Sequence, residues 1–328
     1  MILILGESQD ISTDKVCSWL NYYSKRFLRI NDEHNNLDIV DCVYFTDNKY
    51  GLILQINGFS YDFNDFNIIW CRRGHPVFSI PSKSSLKITA NNIPFKIDQH
   101  LTSEIKTLNR YLEYIISLKH HINRPDHYNS NKLIALNIAQ RVGLRVPETI
   151  ITQRRAELIE FLDSKGNCIT KNIQDNLGYH DKNYTFGHGT MDVNINSSDV
   201  GSFFYSLFQN KIDKKYELRI FYLLGEFYSS AALPPIDSNF VDIRTTNRKN
   251  RRIPFNLPEE IKNKLHSFMV DMKLESGSID VLVDKNNDYW FLEVNPVGQF
   301  DFLSGKNNFY IEREIAKKLI NGTKDTSC

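Results

Sequence analysis

Apolar positions in the first third of the chain come in short blocks. Met1 runs into Ile2-Leu3-Ile4-Leu5, an unbroken apolar block that reads as a buried strand of an α/β unit. A helix over 14–23 and a strand over 39–45 follow. Leu52 to Ile56 and Phe59 to Asp62 flank Asn57-Gly58, the dipeptide that most strongly marks a two-residue hairpin. Ile68, Ile69 and Trp70 make another strand. Ile97, Leu101, Ile105, Leu108, Leu112, Ile115 and Ile116 keep helical spacing, so a long amphipathic helix is expected there. His120 and His121 are read as its end, where they would favour its dipole.

Asn123-Arg124-Pro125 breaks the pattern and opens a second unit. Ser130 is the expected cap of a helix over 131–142, with Gly143 as its stop. The chain is then extended over 146–151, helical over 156–164, and a strand over 168–171 that ends in Lys171. Residues 172–196 are polar and aromatic without periodicity, which reads as a functional loop. A helix over 199–208, a hairpin of 216–224 with 226–232 about Gly225, a helix over 258–272 and a last helix over 310–320 complete the reading.

The segment from Gly277 to Gln299 carries the clearest chemistry. Two apolar strands flank the polar turn 284–288. A hairpin symmetric about Asn286 and Asn287 places Asp280 opposite Glu293, with Asn295 on the same face. Opposed like charges destabilise a hairpin, and a hard divalent cation reverses that sign. Two carboxylates and an amide oxygen suit Mg²⁺, with phosphates and water completing its shell. Asn295-Pro296-Val297-Gly298 then makes a sharp exit from the sheet.

Composition narrows the function classes. The 328 residues are enough for two or three subdomains, and 41% hydrophobic content allows a sizeable core. A net charge of +1 gives no bulk electrostatic case for nucleic acid or membrane binding. The five cysteines contain no Cys-x-x-Cys pair, against a disulfide framework or zinc site. The first apolar run is too short for a signal peptide and lacks a basic flank, and no stretch has transmembrane length. A cytoplasmic protein is expected. The first strand is not followed by Gly-x-Gly-x-x-Gly, against dinucleotide binding.

Lys132 at a helix start, Lys171 at a strand end, Gln209-Asn210-Lys211-Ile212 leading into Glu217-Leu218-Arg219, and finally Asp280, Glu293 and Asn295 form an order that resembles the ATP-grasp superfamily. Asn131-Lys132-Leu133 with Gly143-Leu144-Arg145-Val146-Pro147-Glu148-Thr149, Tyr216 to Ile220 with Gly225-Glu226, Glu293 to Gln299, and Trp70-Cys71-Arg72-Arg73 sharpen this. Together they resemble the ATP-grasp maturases that macrocyclise ribosomal peptides, the graspetide or microviridin-type ligases, most closely the grasp-with-spasm subgroup. The resemblance implies an α/β (α+β) chain of three parts: a pre-ATP-grasp domain (1–122), a central lid subdomain (123–206) and a C-terminal subdomain with the Mg²⁺ site (207–328). It implies ATP and Mg²⁺ as cofactors, a precursor peptide with a leader as partner, and a homodimer.

By the same resemblance, Lys132 and Lys171 hold nucleotide phosphates and residues 209–212 meet the adenine. Lys171 and Arg219 act on the γ-phosphate, and Asp280, Glu293 and Asn295 hold Mg²⁺. Glu217 serves the ribose or the outer shell of the metal. Arg244 clamps the acceptor carboxylate, and the basic run 248–252 is read as meeting an acidic peptide. Taken singly, a lysine at a helix start is more often solvated, and Arg219 beside Glu217 could be an ordinary cross-strand pair. The implied reaction joins Asp or Glu side chains, activated as acyl phosphates, to Ser or Thr hydroxyls (ω-ester) or Lys amines (ω-amide). Two alternatives stand beside it: a small-molecule ligase resembling glutathione synthase, and an inactive peptide-binding module. The loop after Lys171 departs from the superfamily in having few glycines.

Overall fold

A computed structural model describes residues 1–31, 40–46, 49–74, 78, 95–128, 130–174, 179–180, 185–186, 189–193, 203–233 and 251–322. The chain divides into two units. The first comprises 1–128 with 310–328, and the second comprises 129–309.

In the first unit, β1 (Ile2–Gly6) is buried along its whole length. α1 (Ile11–Tyr22) starts where the Asp10 carboxylate accepts from the Ser12 N–H at 3.3 Å and the Thr13 hydroxyl at 2.8 Å, which satisfies orphan donors of the first turn. β2 (Phe27–Asn31), which the apolar pattern does not reveal, pairs parallel with β1. β3 (Val40–Thr46), β4 (Lys49–Ile56) and β5 (Phe59–Asp62) form a separate antiparallel sheet. Asn57 and Gly58 both have positive φ, as a tight primed turn demands. β6 (Ile68–Cys71), α2 (Phe95–Ser117) and β7 (His120–Ile122) follow, giving a parallel sheet in the order β2-β1-β6-β7. His120 and His121 therefore lie on β7, after α2 has ended at Ser117, and not on the helix end expected for them. Three residues suffice for a strand here because β6 supplies the ladder.

Just past β1 and β6, Arg72 Nε donates to Asp10 at 2.8 Å, with both side chains sealed at 4% and 0% exposure. Arg73 pairs with Glu7 at 3.1 Å. Gly74 passes so close to Gly6 that a Cβ would fall 2.1 Å from its carbonyl oxygen, so only glycine fits.

The second unit begins with α3 (Lys132–Arg141). Its cap is Asn131, whose side chain accepts from Leu133 and Ile134, and not Ser130. The Ser130 hydroxyl instead donates to the Val294 carbonyl at 2.8 Å. Gly143, at φ +81°, ends the helix. β8 (Thr149–Thr152), α4 (Arg155–Lys165), β9 (Cys168–Lys171), the two-residue strands β10 (Tyr179–His180), β11 (Thr185–Phe186) and β12 (Met191–Asp192), and β13 (Ser206–Asn210) come next. One sheet has the order β12-β9-β13-β8. β13 corrects the helix expected over 199–208, of which 199–202 lie outside the described residues. Leu207, Phe208 and Gln209 are all buried, so both faces of this strand are covered. Such a run carries no period to tell strand from helix.

A five-stranded antiparallel sheet follows, in the order β16-β15-β14-β17-β18. It is made of β14 (Lys214–Leu223), β15 (Glu226–Leu233), β16 (Arg251–Pro254), β17 (Ser276–Asp284) and β18 (Tyr289–Asn295), with α5 (Glu259–Asp271) between β16 and β17. α6 (Asp301–Asn307), unforeseen in the pattern, packs on β15 and β16. α7 (Ile311–Gly322) returns to the first unit and packs on α1. No helix among the described residues is long and apolar enough to cross a membrane.

Candidate active site on the five-stranded sheet

Alternation gives this sheet two unlike faces. Leu218, Ile220, Tyr222, Ile279, Val281, Val283, Phe291 and Val294 are buried in one core cluster with Ala135 and Ala139 of α3 and Leu265, Phe268 and Met269 of α5. The opposite face takes the residues in between. Ser230, Arg219, Asp280 and Glu293 are successive cross-strand partners across β15, β14, β17 and β18. Glu217 and Ala232 form the next line on one side, and Ser278 and Asn295 on the other.

The pairing of Asp280 with Glu293 arises differently from the sequence expectation. The hairpin is centred on Asn286, not between Asn286 and Asn287: Asp284 and Asp288 close a three-residue loop, and Val283 pairs with Tyr289. Asn287 takes φ +66° there, the left-handed residue such loops use. A β-bulge at Leu292 of β18, the residue left over between the Asp280–Glu293 and Val281–Phe291 pairs, then shifts the register by one, so that Asp280 meets Glu293. The bulge also reconciles Phe291 and Val294, both buried in the core although three apart. Strict alternation from Phe291 would drive Glu293 inward, and the extra residue re-aims it.

Cations answer these carboxylates. Arg219 Nη1 donates to Asp280 Oδ2 at 2.6 Å. Lys132, at the first turn of α3, has Nζ 4.0 Å from Glu293 Oε2 and donates to the Gln174 carbonyl at 3.2 Å. Lys214 Nζ holds Glu217 Oε1 at 2.5 Å. Asn295 is exposed, and its Oδ1 accepts from the Val297 N–H at 3.1 Å. Past it, Gly298 approaches the sheet so closely that a Cβ would lie 2.6 Å from that of Ser278.

The other expected residues lie on the smaller sheet. Lys171 is half-buried at the end of β9, opposite Leu207. Gln209 is fully buried and donates to the Thr149 hydroxyl at 2.8 Å, while its Oε1 and Asn210 Oδ1 are buried without hydrogen-bond partners. The Asn210 and Lys211 N–H groups donate to the Glu148 and Asn167 carbonyls, and Lys211 Nζ pairs with Asp192 at 2.8 Å. Ile212 is half-buried between β13 and β14. Arg244 and 248–250 of the basic run lie outside the described residues.

Arg252 entered the sequence reading only as the last residue of the basic run 248–252, with no role of its own. It pairs with Ala232, the partner of Glu217, and its guanidinium lies 5.1 Å from the centre of the Phe302 ring. Burial, and after it the nearby Arg219 charge, pull its pKa below the usual value, against the opposing pull of Asp280 and Glu217. Its signal was faint: in Arg251-Arg252-Ile253-Pro254, alternation sends only one arginine to the polar face.

Among the described residues no three His, Cys, Asp or Glu side chains converge as a metal site. The donor set is instead two facing carboxylates, all hard oxygen, which suits a cation that keeps water and phosphate ligands. The unpartnered Gln209 and Asn210 oxygens suit a ligand bringing hydrogen-bond donors, as adenine does.

No family model and no curated protein matches the chain. Solved structures match over its whole length. A Chryseobacterium gregarium RiPP-associated ATP-grasp ligase, in complex with ADP and a leader and core peptide, aligns at TM-score 0.75 and 22% identity, covering 100% of this chain and 97% of its own. This chain has the ATP-grasp fold. The macrocyclase MdnC of Microcystis aeruginosa, bound with precursor peptide MdnA, aligns at 0.73 and 20%, covering 98% and 99%. A D-alanyl-alanine synthetase A from Vibrio cholerae aligns at 0.53 and 12%, covering 99% and 97%. The α/β class and the ATP-grasp architecture expected from the sequence are met.

Proposed function

We propose that this chain is an ADP-forming ATP-grasp ligase that macrocyclises a ribosomally made precursor peptide. The observation that carries this reading is the Asp280–Glu293 pair, set opposite each other by a bulge, beside Arg219, in a chain that resembles peptide-bound ATP-grasp ligases from end to end. The lower similarity to the D-alanyl-alanine synthetase favours a peptide substrate over a small molecule.

Mg²⁺ bound with ATP would neutralise phosphate charge, held by Asp280 and Glu293 with Asn295 beside them. Lys132 and Lys171 bind phosphates, residues 209–212 border the adenine, and Glu217 serves the ribose side. Arg219 is placed to meet charge that develops on the transferred phosphoryl group. A peptide carboxylate attacks the γ-phosphorus, ADP leaves, and the acyl phosphate yields to a Ser or Thr hydroxyl or a Lys amine with loss of phosphate. Arg244 is kept as a carboxylate clamp in this reading. A leader bound away from the chemistry positions the core peptide. Cytoplasmic location, a homodimer and the division 1–122, 123–206 and 207–328 belong to the same proposal, with α7 returning to the first unit.

The test is to seek an adjacent short gene encoding a Thr/Ser- and Asp/Glu-rich peptide, and to follow that peptide by intact mass spectrometry after incubation with the protein, ATP and Mg²⁺. One water is lost per linkage as ADP forms, and the Asp280→Asn, Glu293→Gln variant leaves the mass unchanged. ADP formation without any mass loss would move the reading to a small-molecule ligase; peptide binding without ADP would leave an inactive binding module.

A further inference from the structure

Arg252 is so far only one of a basic run, yet it stands on the face that carries the chemistry. It comes from β16 at the sheet edge, three strands from β17 and four from β18. Its partner Ala232 has a one-carbon side chain, so the long arginine can pass over β15 toward Glu217 and Arg219 on β14. Phe302 of α6 backs the guanidinium plane, which fixes its direction while leaving its N–H edge to hydrogen-bond. Arg252 makes no ion pair within 4 Å among the described residues, and Arg219 Nε is buried without an acceptor. Two guanidinium groups thus share one half-covered face with donors to spare. Like charges so placed lower the cost of desolvating an anion between them.

The sheet order says which anion. Asp280, Glu293 and Lys132 lie on the β17–β18 side of Arg219, where the proposed metal and phosphates would gather. Arg252 lies on the opposite side. A carboxylate that must approach a triphosphate meets like-charge repulsion, and a cation between the two relieves it. We infer that Arg252 and Arg219 together bind the acidic side chain of the substrate peptide, with Arg252 as the residue that holds the carboxylate on the side away from the nucleotide. This rests on the ligase reading and adds to it a second carboxylate-binding residue beside Arg244.

Two titrations of the full chain test it: Mg·ADP by calorimetry, and N-acetyl-glutamate α-amide by NMR at saturating Mg·ADP. Arg252→Gln weakens the carboxylate ligand by about tenfold or more while Mg·ADP affinity stays within about twofold, and Arg252→Lys falls between. Lys262→Gln, on α5, which packs against the other face of the sheet, changes neither. Melting temperatures check that each variant is folded. Unchanged carboxylate affinity in Arg252→Gln overturns the inference, as does a wild type that takes Mg·ADP but no carboxylate. A parallel fall of both affinities makes Arg252 a phosphate ligand and overturns it too. A wild type that fails to take Mg·ADP sinks the ligase reading instead; the carboxylate titration without nucleotide then still decides the pair.

Discussion

Two arginine–aspartate pairs of nearly equal length sit in the two units of this chain. Arg72 meets Asp10 at 2.8 Å and Arg219 meets Asp280 at 2.6 Å. The first is sealed, at 4% and 0% exposure; the second is open, at 18% and 29%. Distance alone would rank them as equals. Burial separates them: the sealed pair cannot exchange partners with water or ligand, so its charges are committed to the fold. The open pair can, so Asp280 is available to a cation and Arg219 to an anion. The Asp10 carboxylate also takes the Thr13 hydroxyl and caps α1, tying the pair to a helix start. The Asp280 carboxylate caps nothing and faces Glu293.

Removing one partner of the sealed pair should have the largest effect. Asp10→Ala leaves Arg72 charged and buried, and costs about 3–5 kcal/mol in urea or guanidinium unfolding. A loss under about 1 kcal/mol would place that pair with ordinary surface pairs.

Acid comes next. Burial raises the Asp10 pKa, but the Arg72 charge and the hydrogen bonds from Thr13 and Arg72 outweigh it, so the carboxyl titrates below its ordinary value of 3.8. A depressed carboxyl stabilises the fold above its unfolded pKa and loses that contribution as pH falls through the folded one. Denaturation curves should therefore show a loss of stability below about pH 4 that Asp10→Asn lacks. An identical acid slope in the variant would contradict the assignment.

The smallest shift is expected at the open pair. Asp280→Asn should change unfolding free energy by less than about 1 kcal/mol, even though the same substitution belongs to the variant expected to end peptide cyclisation. A large loss of stability there would make Asp280 a structural residue and erase the contrast.

Much of this was legible before any coordinates, and the reasons are local. Asn57-Gly58 announces its hairpin because only residues tolerant of positive φ fit that turn. The Asp280–Glu293 pairing was readable, but for a reason only half right: an error of one residue in the register, from a turn centred half a residue too late, was cancelled by an unforeseen bulge. Ser130 and Asn131 are both good caps, and what decides between them is a carbonyl at Val294, far along the chain. β13 escaped because a strand buried on both faces has no alternation to show. Arg252 was legible only as one of the basic run 248–252, because what distinguishes it from Arg251 is its partners Ala232 and Phe302, which sequence proximity does not reveal.

The bulge at Leu292 has one more consequence. The polar face of β18 is specified by a count as well as by chemistry. Every side chain from Glu293 to Asn295 owes its direction to Leu292 being left out of the pairing. Were Leu292 drawn into the ladder instead, with no charged group altered, the two faces of the strand end would exchange: Glu293 would turn toward Phe268 and Met269, and Val294 toward Arg219. Loss of Leu292 itself would leave a regular ladder with Glu293 still opposite Asp280, so the site requires only that the pairing of β18 skip this residue or lack it.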